Sequence, residues 1–248
     1  MSGEVLYAPL LASHVDADIP VYGLAETPLG KPPLQTIHAR AKRFVRIIRA
    51  VQPVGPYRVA GWSLGGNVAY EIAIQLLGED EIVDFLGLID SVNFAGTCPK
   101  EQPPTDDKTL LMDIVRHTVA KTDSSLQRRL KTLPKTGDLE TFARTCRING
   151  LLPPDMSLGD IKDYLVRMKA STHALYDYQP PSIPIPVHLF RAMDEKAGAP
   201  PGRDTHLGWA QVLPKTRIRV ISVPGTHYSM MYPPQIEVLG RSLTDAIR

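Results

Sequence analysis

The run Val59-Ala60-Gly61-Trp62-Ser63-Leu64-Gly65-Gly66 sets Gly-x-Ser-x-Gly between an apolar segment of strand character and a helical one. The helical segment, residues 67–77, carries Val68, Ile72 and Leu76 at helical spacing. A serine on so tight a strand-to-helix turn is forced into a strained conformation that lifts its Oγ clear of the sheet. Gly61 and Gly65 have no Cβ, so neighbouring backbone can approach closely at both. The following helix aims its free N–H groups at the reacting oxygen, and the Leu64 amide is the expected oxyanion donor. Five-residue glycine-rich turns also recur by chance. The strand before and the helix after are what make Ser63 a candidate nucleophile.

The rest of the chain fits around that turn. Residues 5–14 have the spacing of a short helix, residues 19–24 read as a strand, and residues 27–33 as a loop rich in Pro and Gly. Leu34, Ile37, Ala41, Phe44, Val45, Ile48 and Val51 define a strongly amphipathic helix. Residues 57–60 feed the serine turn, and the apolar run 83–90 suits a buried parallel strand. This βαβαβ order predicts a parallel sheet with right-handed crossovers. The rhythm breaks from residue 91 to residue 185, where helices are expected at 108–121, 124–133, 138–149 and 160–177. So long a stretch without strands is most simply a helical insertion over the active edge of the sheet. The sheet resumes at 186–191 and 217–223, and a last helix spans 233–247. The expected division is a core of residues 1–92 and 186–248 with a helical lid over 93–185.

The composition adds exclusions. The 248 residues suit one α/β domain with an insertion, and a net charge of +2 gives no case for nucleic acid. Two cysteines, Cys98 and Cys146, are too few for a disulfide framework, lack patterned partners and read as inert thiols; no metal cluster is evident. No apolar run approaches the roughly 18 residues of a membrane span, and the first residues lack a leader pattern, so a cytoplasmic protein is expected.

A serine nucleophile needs a base. Of seven histidines, His227 follows the last strand in Pro224-Gly225-Thr226-His227-Tyr228, on a loop that returns to the serine's edge of the sheet. His14, His38, His117 and His173 fall in expected helices, His188 in a strand, and His206 near Trp209, all better suited to surface or structural roles. Two acids could orient His227. Asp90 ends a strand in Leu88-Ile89-Asp90-Ser91, while Asp194 lies in a polar loop, and either satisfies the order Ser…Asp…His. Local context favours Asp90.

These segments resemble the thioesterase domains that end nonribosomal peptide synthetases and polyketide synthases, members of the α/β-hydrolase superfamily. The likeness is carried by Gly61-Trp62-Ser63-Leu64-Gly65-Gly66, Leu88-Ile89-Asp90-Ser91 and Pro224-Gly225-Thr226-His227-Tyr228. Leu152-Pro153-Pro154, Tyr178-Gln179-Pro180-Pro181, Leu189-Phe190-Arg191-Ala192 and Leu207-Gly208-Trp209 add to it. It implies an α/β-hydrolase fold, a mostly parallel sheet with helices on both faces and an inserted helical lid. It also implies Asp90 as the acid, and Ser63, Asp90 and His227 as a triad working through an acyl-serine. The substrate would be an acyl or peptidyl thioester on the phosphopantetheine of a carrier protein, with no bound cofactor, and release would be by hydrolysis or cyclisation. A carboxylesterase or lipase, or a catalytically impaired carrier-binding remnant, would share parts of this pattern.

One departure carries its own expectation. The family opens with an apolar strand and a loop that supplies a second oxyanion amide, and that strand lies between those of Val21 and Val59. Here the chain starts about where that loop ends, which implies a fragment of a longer synthetase or a start set too late. The chain alone should then be unstable and a poor catalyst, and residues encoded ahead of Met1 should restore it. Arg40, Lys42, Arg43, Arg46 and Arg49 line one helix and could dock an acidic carrier, although a solvated face is the commoner reason for such a run. Met230-Met231 could line the acyl site or fill the core.

Overall fold

A computed structural model describes residues 7–26, 31–96, 106–119, 128–130, 133, 137–194 and 204–248. Four strands, β1 (Tyr57–Trp62), β2 (Val83–Ile89), β3 (Val187–Ala192) and β4 (Ile218–Val223), form one sheet. All neighbours are parallel and lie in chain order. β2 is buried at every position except Asp84, as a strand covered on both faces must be.

Alternation along the strands sends side chains to two cores. On one face Tyr57, Val59, Leu86, Leu88 and Leu189 pack with α2 (Ile37–Val51) and α3 (Leu64–Leu77). On the other, Phe85, Ile89, Phe190 and Val223 meet Leu11 of α1 (Ala8–Ala12) and Leu239 and Leu243 of the last helix, Gln235–Ile247. Each such side chain taken from water stabilises the fold by roughly 1.5–3 kcal/mol. The α/β architecture expected from the βαβ rhythm is the one observed.

Two helix starts differ from expectation. α2 begins at Ile37 rather than Leu34, because the Thr36 hydroxyl accepts the Ala39 N–H at 3.1 Å and caps it there. α3 begins at Leu64, directly after Ser63, although Gly65 and Gly66 are weak helix formers. Packing on the sheet overrides propensity.

The strand expected at residues 19–24 does not form. A strand exists only where a neighbour takes its backbone hydrogen bonds. Here an open cavity separates residues 19–24 from β1, and Val21 and Tyr22 remain exposed.

Between β2 and β3 lie α4 (Asp107–Val119), α5 (Leu139–Ile148) and α6 (Leu158–Asp177); by this numbering the last helix is α7. Asp138 caps α5, and a Ser157–Asp160 capping box starts α6. Most of the helix expected at 124–133 lies outside the described residues, as do Cys98 and residues 27–30. Leu111, Val115, Phe142, Cys146, Ile161 and Leu165 pack together in a core of their own. Farther along α6, Ala174 and Leu175 belong instead to the main core.

A polar layer divides those two stretches. Arg40 reaches Ser171 Oγ at 3.1 Å and Glu26 Oε1 at 2.9 Å, and Arg167 donates to the Lys31 carbonyl at 2.6 Å. Beyond it, the Tyr178 hydroxyl donates to Glu71 at 2.9 Å and the Tyr70 hydroxyl to the Pro181 carbonyl at 2.7 Å. Burial, reinforced by the Glu71 carboxylate, pushes the Tyr178 hydroxyl well above the usual phenol range. Tyr178 therefore stays a neutral donor at any working pH.

Two separate cores predict unequal opening. Amides of α5 should exchange at least about tenfold faster than those of central strand β2, because only the smaller core must open to expose them. Hydrogen exchange read by mass spectrometry checks this. Equal protection would mean that the two cores unfold as one unit.

Candidate active site

The turn between β1 and α3 holds Ser63 at φ 57°, ψ −125°, outside the conformations a serine ordinarily adopts. Its backbone is clamped on both sides. The Ser63 N–H donates to the Ile89 carbonyl at 2.9 Å, and its carbonyl accepts from Gly66 N–H at 3.0 Å and Ser91 Oγ at 2.6 Å. Asn67 donates to Ser91 Oγ at 3.0 Å and to the Val92 carbonyl at 3.2 Å, while the Trp209 indole donates to the Ser91 carbonyl at 2.8 Å. Strain of this kind persists only where the surroundings over-determine it. Ser91, Asn67 and Trp209 supply that support. Their roles were invisible in the sequence because the three come from separated segments.

Glycine is required at two places in the turn, and one differs from expectation. A Cβ on Gly61 would lie 1.9 Å from the Gly65 carbonyl oxygen, and one on Gly66 would lie 2.5 Å from Ser91 Cβ. A Cβ on Gly65 would meet nothing within 4 Å. The close approach is thus made at Gly61 and Gly66, and Gly65 faces open space beside the serine.

Asp90 follows β2 with φ 44° and is 1% exposed. Its N–H donates to the Phe190 carbonyl at 2.7 Å, and its Oδ1 accepts the Ala192 N–H at 3.1 Å. Its Oδ2 lies 2.7 Å from His227 Nδ1, and His227 Nε2 lies 3.1 Å from Ser63 Oγ. The sequence candidates Ser63, Asp90 and His227 are therefore brought into one hydrogen-bonded row. Asp194 is not part of it: exposed, it directs its own N–H to the Gly225 carbonyl at 3.0 Å. That bond ties the two loops without placing its carboxylate on the imidazole.

Trp62 adds a support that sequence reading missed. Its indole N–H donates to the His227 carbonyl at 3.0 Å, and its ring lies against the imidazole with centroids 5.2 Å apart. Tyr228 stands edge-on to the same imidazole at 4.9 Å. The residue before Ser63 thus holds the loop that carries His227. Leu64 opens α3, so its amide precedes the first intrahelical hydrogen bonds and points into the turn.

The other histidines stand elsewhere. His38 pairs with Glu71 at 2.8 Å on the surface of α2, and His188 stacks on Phe85, where burial lowers its pKa. Burial pushes the Cys146 thiol up to about 11, which makes it a poor nucleophile. Met230 and Met231 lie in the core beneath α7. Of the cationic run on α2, Arg40 is buried against Glu26 and Arg49 is paired with Glu79 and Glu81. Among the described residues no group of His, Cys, Asp and Glu is placed to hold a metal ion, and no helix is long and apolar enough to cross a membrane.

The chain is similar over nearly its whole length to several known proteins. A non-reducing polyketide synthase, crz7, of Cladonia metacorallifera is 28% identical over 98% of this chain and 12% of its own length. The nonribosomal peptide synthetase btyA of Aspergillus terreus is 27% identical over the whole chain and 27% of its own length. This chain thus spans between an eighth and about a quarter of those relatives. Among solved structures, the NocB thioesterase domain in covalent complex with a fluorophosphonate nocardicin G analog superposes with TM-score 0.69 at 22% identity, covering all of this chain and 91% of that one. The four-domain nonribosomal peptide synthetase holo-AB3403 gives TM-score 0.74 at 23% identity over 98% of this chain and 18% of that one. The thioesterase domain family matches residues 6–243, a span that takes in the serine turn, Asp90 and the His227 loop together. On that match the chain belongs to the family of thioesterase domains.

Proposed function

We propose that Ser63, His227 and Asp90 are the catalytic triad of a thioesterase that releases an acyl or peptidyl chain from the phosphopantetheine of a carrier protein. The observation that carries this reading is the unbroken row from Asp90 Oδ2 through the imidazole to Ser63 Oγ, at 2.7 Å and 3.1 Å. His227 Nε2 takes the serine proton as Oγ attacks the thioester carbonyl. The tetrahedral oxyanion rests on the Leu64 amide. As the intermediate collapses, His227 returns the proton to the departing phosphopantetheine thiolate, leaving an acyl-Ser63 ester. Asp90 holds the imidazole in one tautomer and stabilises its cationic form. Water then yields a free acid, or an amine or hydroxyl of the acyl chain yields a ring.

Residues 93–185 act in this reading as the lid that shapes the acyl chamber. The full-length relatives named as polyketide and peptide synthetases support a carrier domain as the partner, acting within a larger protein. Comparing turnover of an acyl-phosphopantetheine thioester with that of the matching oxygen ester tests the reading. Preference for the thioester is expected, while preference for the ester would favour a carboxylesterase. Failure of a fluorophosphonate to label Ser63 would point to the carrier-binding remnant instead.

A further inference from the structure

His188 stacks on Phe85 at 5.1 Å and 26°, and His227 stacks on Trp62 in much the same way, at 5.2 Å and 30°. Stacking by itself is therefore one way of packing a ring. At Trp62 two further features are joined to it. The indole N–H donates to the carbonyl of the very residue whose ring it covers, at 3.0 Å. Trp62 also ends β1 directly before Ser63, so the nucleophile and the histidine bonded to it are both held from one dipeptide. The His227 loop is closed on itself as well: Thr226 N–H donates to Ser229 Oγ at 2.8 Å, and Ser229 N–H to Thr226 Oγ1 at 3.2 Å. Those bonds shape the turn without tying it to the serine strand, which the indole does.

Asp90 Oδ2 bonds the imidazole at Nδ1, which leaves the ring able to tilt about that bond and swing Nε2 away from Ser63. The indole on the ring face blocks the tilt. Tyr7 and Tyr228 meet the indole at 79° and 77° and keep its own plane fixed. The contact also bears on charge. In acylation a proton passes from Ser63 Oγ to Nε2 and on to the departing sulfur. In release it passes from water, or from the ring-closing amine or hydroxyl, to Nε2 and on to Oγ. The imidazole is thus cationic only along the reaction path. A cation within about 6 Å of an indole face is attracted by the ring quadrupole, whereas a neutral ring gains far less. An interaction of that kind raises turnover and leaves substrate binding alone. We propose, resting on the triad reading above, that Trp62 is a positioning residue of the reaction. It registers His227 on Ser63 and favours the cationic imidazole in both halves of the cycle.

The test places tryptophans bearing successive ring fluorines at residue 62 alone and measures kcat and KM for an acyl-phosphopantetheine thioester. Fluorine withdraws negative charge from the ring face, nearly keeps its shape and makes the N–H a stronger donor. A falling rate therefore cannot come from a lost hydrogen bond. With each added fluorine kcat should fall, by about tenfold over the series, while KM holds within about twofold. Trp62→Phe keeps a face and loses the donor, and Trp62→Leu loses both. Read well below its melting temperature, Trp62→Leu should lower kcat by about 100-fold, and Trp62→Phe should recover about fivefold or more of that loss. A kcat that stays flat across the fluorine series, while Ser63→Ala still abolishes turnover, overturns the proposal and spares the triad. A folded Trp62→Leu enzyme as active as Trp62→Phe does the same, and if Trp62→Leu does not fold the fluorine series decides. Thioester turnover that is absent, or that survives Ser63→Ala, overturns the triad reading itself.

Discussion

Ser63→Ala and His227→Ala are each expected to lower kcat for an acyl-phosphopantetheine thioester by about 10⁵–10⁶-fold, and the double substitution to cost little more. The non-additivity follows from the geometry. Without Oγ there is no nucleophile for the imidazole to activate, and without Nε2 at 3.1 Å the hydroxyl keeps its proton. Asp90→Asn should cost about 10⁴-fold, since an amide at that site favours the wrong imidazole tautomer. Asp194→Asn should leave kcat within about threefold, because its carboxylate does not meet the ring. Steady-state kinetics on the four variants settles the assignment. An active Asp90→Asn enzyme beside a crippled Asp194→Asn one would show that the imidazole is oriented from the other loop.

Gly61→Ala should be the most damaging single methyl group in the chain. The new Cβ would sit 1.9 Å from a backbone oxygen and 2.1 Å from its carbon. No rotamer relieves that overlap, so β1 and the start of α3 must separate. A destabilisation of about 3 kcal/mol or more is expected, a fall of roughly 6–12 °C in melting temperature, together with loss of turnover. Gly65→Ala is the control, only four residues away. Its Cβ meets open space, and the helix gains propensity, so stability should hold within about 1 kcal/mol. Thermal unfolding of both variants checks this. If both melt alike, the close contact at residue 61 is relaxed in solution.

Much of the site was legible because its parts sit at the ends of apolar segments with clear periodicity. Apart from Arg58 and Asp84 the runs before Ser63 and Asp90 hold no charged residue, so their ends could be located to within two residues. That Asp90 rather than Asp194 meets the imidazole has a physical reason as well. A carboxylate at the buried end of a strand has backbone donors waiting for it, here the Ala192 N–H, whereas an exposed loop carboxylate has water.

The failures also have causes. Residues 19–24 have strand composition, yet composition cannot supply a partner, and a cavity lies between them and β1. Gly65 and Gly66 look alike in sequence, and only the position of Ser91 separates them. Ser91, Asn67 and Trp209 were overlooked as supports because hydrogen bonds spanning 24 and 118 residues leave no local spacing to read.

The membership of α6 in two cores bears on how such a protein could be rebuilt. The obvious seams for exchanging the helices between β2 and β3 lie near residues 93 and 185. A transplant cut there would carry away Ala174 and Leu175, which fill the main core, and Tyr178, which occupies Glu71. The recipient would be left with a hole and a buried carboxylate short of a donor. A join in the middle of α6, on the far side of Ser171, keeps the α6 residues of the main core with the sheet and moves only the smaller cluster. Modularity in this domain ends inside a helix, one layer short of where the loops suggest.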